Sequence, residues 1–176
     1  MLNPENLKLK TMIMKNKVIK GISFLSLILL AIACNIKKSE PVAVIDKEQI
    51  KKEIQAKENA FAALYNAGEM KNIGYYADDA TTFSQNHAPL VGKEAIIEYL
   101  KVNIDSLDKN NKISYTTNEV FPSSDGNLVV EIGYYKVVDT TTNITINTGN
   151  YMVLFEKRNG NYFSIREMST SDMPIE

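Results

Sequence analysis

Two mid-strand glutamates, an arginine, a single histidine and nine tyrosines are the groups in this 176-residue chain that could do chemistry. Glu131 interrupts an otherwise apolar run, Leu128-Val129-Val130-Glu131-Ile132-Gly133-Tyr134-Tyr135. A strand alternates its side chains between faces, so Glu131, Gly133 and Tyr135 share one face and Val130, Ile132 and Tyr134 the other. If the first set faces the core, a carboxylate and a phenol share one pocket wall. If it faces out, Glu131 is a solvated or interface residue. Arg166 and Glu167 lie together in a second β-rich run, so one of them points inward or into an interface, and a buried one needs a partner. Arg166 with Glu131 is one such pair; Glu167 with a tyrosine is another. His87 sits in a loop, where it either acts as a base or ligand donor or simply stands in solvent. The tyrosines, Tyr65 among them, combine an apolar body with a polar tip, which suits a half-polar pocket or interface as well as ordinary packing. Asp78 and Asp79 look like a carboxylate pair, but adjacent residues point apart, and local capping and turn formation account for them.

Composition narrows the chemistry. Five of the 20 basic residues and one of the 21 acidic ones precede Cys34, which leaves the remainder with a net charge of about −5. That argues against nucleic acid as a partner, since phosphate binding needs a basic patch. No cysteine follows Cys34, so disulfides and thiolate chemistry are excluded there, and with His87 alone a histidine-based zinc site is excluded too. No metal and no cofactor are expected.

The lone cysteine carries a different message. Lys15, Lys17 and Lys20 precede an apolar run from Ile22 to Leu30, which ends in Ala31-Ile32-Ala33-Cys34. This is a basic region, a short apolar region and a small-residue cleavage site. The segment resembles the lipobox of bacterial lipoproteins, although Ala31 stands where that family prefers leucine. Ala31-Ile32-Ala33 also suits ordinary secretion. The resemblance implies a signal peptide over residues 1–33, lipidation of Cys34, and attachment to a membrane of the bacterial cell envelope, the outer membrane first, on its periplasmic or exposed side. Several acyl chains make such an anchor stable. Met14-Lys15-Asn16-Lys17 reads as the natural start of the signal. Residues 34–46 read as the lipidated cysteine and a polar tether containing Pro41.

Residues 47–176 are enough for one domain. Lys47 to about Ala67 is an amphipathic helix, with Ile50, Ile54, Phe61 and Leu64 on one stripe, Asp46 as N-cap, Gln49 at capping-box spacing and Gly68 as stop. Glu69 to Tyr76 reads as a second short helix, Ala80 to Gln85 as a strand, and Lys93 to about Ile104 as a third helix. Four further strands follow, Ile113–Phe121, Leu128–Val138, Ile144–Lys157 and Tyr162–Ser169, joined by Gly- or Asn-bearing turns. Helices first and an antiparallel sheet afterwards is an α+β pattern, in which the three N-terminal helices cover one sheet face.

The local motifs then converge. Ala63-Leu64-Tyr65-Asn66-Ala67-Gly68-Glu69, Tyr76-Ala77-Asp78-Asp79-Ala80-Thr81 and Val91-Gly92-Lys93-Glu94-Ala95-Ile96, with Ser124-Asp125-Gly126-Asn127-Leu128, Gly149-Asn150-Tyr151, Lys157-Arg158-Asn159-Gly160 and Ile165-Arg166-Glu167, resemble the SnoaL-like and ketosteroid-isomerase-like branches of the nuclear-transport-factor-2-like superfamily. The resemblance implies a cone-shaped curved sheet wrapped around helices, with a pocket at its open end and His87 near the mouth. Many members form homodimers through the outer sheet face. Isomerases of this kind place an aspartate base three residues after the Asp-Asp-Ala-Thr motif, which is Ser84 here, and an oxyanion-stabilising tyrosine where this chain has Phe61. Their second oxyanion acid falls near Tyr151–Phe155, where the chain is apolar. Serine and phenylalanine cannot replace those groups. The expected function is therefore non-catalytic binding of a small apolar or half-polar molecule, with Glu131, Tyr135, His87, Arg166, Glu167 and Tyr65 as candidate ligand contacts. The alternatives are an interaction or dimerisation domain, or a hydrolase, cyclase or dehydratase built on Glu131, His87 and a tyrosine.

Overall fold

Ile50, Ile54, Glu58 and Phe61 recur at three- and four-residue spacing, and in the computed structural model they form the buried stripe of helix α1 (Lys47–Ala67). The structure describes residues 45–174. The signal segment, Cys34 and all but the end of the tether lie outside the described residues. Asp46 caps α1 by accepting a 2.9 Å hydrogen bond from the Gln49 N–H. The reciprocal arm of a capping box is not made, because the Gln49 side chain turns to Glu53 instead. Gly68 ends the helix in the left-handed conformation (φ 74°), with its N–H bonded to Tyr65 and that of Glu69 to Leu64.

The second helix predicted by the sequence is not formed. Between Gly68 and Gly74 there is room only for a single 3-10 turn, Met70–Asn72, too short to propagate as an α-helix. Met70 and Ile73 are buried, as predicted apolar positions should be. Among the described residues two α-helices therefore cover the sheet, α1 and α2 (Lys93–Ser106). Among the described residues no helix is long and apolar enough to cross a membrane.

Six strands form one sheet: β1 (Tyr76–Ser84), β2 (Leu90–Val91), β3 (Asn111–Pro122), β4 (Leu128–Asp139), β5 (Ile144–Arg158) and β6 (Asn161–Ser171). Their order is β2-β1-β6-β5-β4-β3, antiparallel throughout except for the parallel β1–β6 pair. The β5–β6 hairpin turns at Asn159-Gly160, both at positive φ (52° and 82°), as the sequence predicts. β1 starts four residues before the predicted strand and carries a bulge between Tyr76 and Thr81. The bulge breaks alternation, so Asp78 and Asp79 both face solvent, between buried Ala77 and Ala80, instead of pointing apart. Asp79 is held by both terminal nitrogens of Arg158, at 2.8 and 3.1 Å.

Strand β3 would leave a free sheet edge, and α1 covers it. Gln55 accepts from the Thr117 N–H (2.8 Å) and donates to the Tyr115 carbonyl (3.1 Å). Asn66 makes the same two-way pairing with the N–H and carbonyl of Ile113, and Lys51 reaches the Asn118 carbonyl at a β3 bulge. These side chains satisfy edge groups that would otherwise template aggregation. The core beneath, including Ile54, Ile96, Val120, Val129, Val153 and Phe155, is excluded from solvent.

Gln55→Ala should therefore destabilise the fold by about 1–3 kcal/mol, because it strips two partners from part-buried backbone. The exposed Gln49→Ala should change stability by less than about 0.5 kcal/mol. Urea unfolding of both variants checks this; equal losses would show that the edge pairing carries no stability.

Candidate functional site

A cavity of about 570 Å³ opens between the two helices and the inner face of the sheet. Helix α1 contributes Phe61 and Tyr65, α2 contributes Tyr99 and Asn103, and the strands contribute Tyr76, Ser84, Tyr115, Tyr135, Tyr151 and Glu167. Among the described residues that line it, Glu167 is the only charged side chain. Ser84 and Phe61, the residues standing where an isomerase would carry its base and its oxyanion donor, both face this cavity.

A strand irregularity aims Glu167. Tyr162 and Ser164 face inward on β6, and strict alternation would bring Arg166 in next. Ile165 is instead an extra residue between the Ser164–Phe155 and Arg166–Leu154 pairs. This bulge reverses the phase, so Glu167, Ser169 and Ser171 face the cavity. Arg166 is exposed and donates to the Asp79 and Ile165 carbonyls. The pairing of Arg166 with Glu131 is thus overturned, because the two lie on opposite faces of the sheet.

Behind the cavity wall two more carboxyl groups are buried. Glu58 of α1 is 1% exposed and Glu131 of β4 is 0% exposed. The Tyr75 hydroxyl donates to Glu58 at 2.5 Å. Glu131 Oε1 accepts from Thr117 Oγ1 at 2.6 Å and from the Tyr151 hydroxyl at 2.9 Å. Burial, and then the charge of Glu131, push Glu58 well above the usual carboxylate range. Burial raises Glu131 as well, but hydrogen bonds from Thr117, Tyr151 and Glu58 oppose it. Burial and the neighbouring Glu131 charge thus favour the protonated form of Glu58, as two like charges at this depth do not both ionise. Burial pushes Glu167 up to about 7; the Tyr76 phenol pulls the other way and the Glu131 charge adds to the rise. Glu131 Oε2 and Glu167 Oε2 are both buried and have no hydrogen-bond partner. Among the described residues no basic side chain forms an ion pair with Glu58, Glu131 or Glu167.

Two glycines make room for the phenols. A Cβ on Gly133 would lie 2.4 Å from the Tyr151 hydroxyl, and one on Gly149 would lie 2.5 Å from the Tyr135 ring. Each glycine is paired across the sheet with the tyrosine it admits, Gly133 with Tyr151 and Gly149 with Tyr135.

Of the candidate contacts read from the sequence, Tyr65, Tyr135 and Glu167 line the cavity. Glu131 faces inward but stands behind Tyr151. His87 is exposed and packs edge-on against Tyr99, with ring centroids 5.4 Å apart, so it stands outside the cavity wall. Sequence reasoning missed Glu58. Its signal was present: Glu58 continues the Ile50, Ile54 spacing into the centre of the buried stripe. Tyr76, Tyr99, Tyr115 and Tyr151 also belong to the cavity, but their side-chain directions depend on the tertiary fold.

No family model matches the sequence, and no curated protein matches it significantly. Solved structures do resemble it. A nuclear-transport-factor-2-like protein of unknown function from Shewanella oneidensis has a TM-score of 0.55 and 18% identity, covering 67% of this chain and 96% of that one. A ketosteroid isomerase-like protein from Erwinia carotovora atroseptica has a TM-score of 0.52 and 16% identity, covering 70% and 97%. A Catenulispora acidiphila structure in complex with S-DNPA has a TM-score of 0.60 and 12% identity, covering 72% and 96%. At these identities the likeness shows the fold, which is the nuclear-transport-factor-2-like cone.

Glu167 binds its proton more tightly folded than unfolded, so its contribution to stability is fully present below about pH 4.3 and is lost as pH rises through about 7. Glu58 and Glu131 act in the same direction. Stability should fall by about 2–3 kcal/mol or more between pH 5 and pH 8. Glu167→Gln should flatten that slope and exceed the wild type at pH 8. Urea unfolding at the two pH values checks this; a flat wild-type profile, or an unchanged slope in the variant, contradicts it.

Proposed function

We propose that this is a small-molecule-binding domain whose ligand occupies the tyrosine-lined cavity above Glu167, carried on a cell-envelope lipoprotein anchored through Cys34. The observation that carries the reading is a tyrosine-lined cavity of about 570 Å³ whose only charged side chain, among the described lining residues, is Glu167. Concave sites of this size, mostly apolar with a few placed polar groups, suit small ligands. The structure of the same fold in complex with S-DNPA supports the reading. Ser84 and Phe61 on the cavity wall support binding without isomerase chemistry, since neither can move a proton or stabilise an oxyanion as a carboxyl or phenol would.

A second reading, association with another copy of this chain, is favoured by a row of apolar side chains on the outer sheet face. Phe83, Met168 and Met152 lie side by side across β1, β6 and β5, 37, 55 and 49% exposed, and Ile132 of β4 continues the row. Exposed apolar rows of this kind mark interaction sites.

Native mass spectrometry of the gently purified protein reads bound mass and oligomeric state together. The expected result is a copurifying small molecule that is lost on denaturation. A bare monomer that also binds nothing in a broad compound screen would contradict the binding reading, and a bare dimer would favour the second.

A further inference from the structure

The electrostatics of the cavity select among ligand classes. This step rests on the small-molecule reading and deepens it. Glu167 is the only charged side chain among the described lining residues, and no lysine, arginine or histidine faces it. Its Oε2 is buried and unpartnered. A carboxyl group on a cavity wall that offers no base is matched by a hydrogen-bond donor or a positive charge on the ligand. Glu131 lies close enough to Glu167 for its charge to act on it, and neither glutamate has an ion-pair partner among the described residues. The potential at the inner end of the cavity is therefore negative.

The remaining walls reinforce this sign. Tyr65, Tyr76, Tyr99, Tyr115, Tyr135 and Tyr151 surround the space. Aromatic faces attract cations, and a carboxylate among several rings is the arrangement that recognises ammonium groups. An anionic ligand would meet Glu167 without a compensating base. A bare metal ion is not matched either: among the described residues no three His, Cys, Asp or Glu side chains converge to hold one. The excess of acidic over basic residues after Cys34 further favours the approach of cations.

We propose that the cavity binds an organic cation, an amine or quaternary ammonium whose nitrogen sits among the tyrosine rings against Glu167 and whose apolar remainder fills the mouth beside Tyr99 and Leu100.

A matched set of compounds tests this: 2-phenylethylamine, 2-phenylethanol and phenylacetate, which share a shape and differ in charge. Each is titrated into the isotopically labelled protein at pH 8, and affinities are read from amide shifts. The amine should bind at least about tenfold more tightly than the alcohol, and phenylacetate should bind least. Glu167→Gln should erase the advantage of the amine over the alcohol. If that variant does not fold, the wild-type order of the three decides alone. An alcohol or acid that binds as tightly as the amine overturns the charge selection while leaving the cavity a small-molecule site. Amine preference that survives Glu167→Gln overturns the role of Glu167. Absence of binding by all three overturns the proposal, and together with a bare protein in native mass spectrometry it removes the binding reading as well.

Discussion

Two carboxyl groups are buried in this small cone and a third, Glu167, stands half-buried on its cavity wall, and no basic side chain among the described residues pairs with them. Burying an isolated carboxylate is so costly that the group takes up a proton or finds dense hydrogen bonding. Both solutions appear. Burial and the Glu131 charge push Glu58 toward its protonated form, and Glu131 collects donors from Thr117 and Tyr151. Glu167 stands between those groups and the cavity and is the only charged side chain among the described residues that line it. The deeper pair lies behind the wall, whereas Glu167 is part of it. This difference separates scaffold from site.

The network also sets the geometry of the wall. Tyr151 reaches Glu131 only because Gly133 opposite has no side chain, and the Tyr151 ring in turn closes the cavity floor over Glu131. Tyr75 holds Glu58 from the first strand side, and its ring packs on Phe61 and Phe155. Helix, sheet and cavity are thus tied together by acids and phenols within a largely apolar core.

Much of the fold was legible in local patterns. The stop at Gly68, the turn at Asn159-Gly160 and the alternation that turns Glu131, Gly133 and Tyr135 to one face all follow from residue types and spacing. The site was legible only in part, for specific reasons. That either Arg166 or Glu167 faces inward follows from alternation; which one does so depends on the single extra residue at Ile165, a bulge that no period announces. Glu58 sits at helical spacing from Ile50 and Ile54, but a glutamate on a helix is ordinarily a solvated residue, and its burial makes sense only beside Glu131, 73 positions away. The short helix expected after Gly68 is only a 3-10 turn, because apolar spacing alone cannot sustain a helix of so few residues. A bulge in β1 likewise suspends alternation at Asp78 and Asp79, which both face solvent.

The central claim is that buried acids without a cation set the character of this interior. Carbon-13 NMR of the side-chain carboxyls in glutamate-labelled protein, followed from pH 3 to pH 10, tests it most directly. The account predicts one resonance, lost in Glu167→Gln, with a midpoint near 7, and a second, lost in Glu58→Gln, that stays protonated well above the range of the exposed glutamates. Titration of every glutamate between about pH 4 and pH 5 would contradict it.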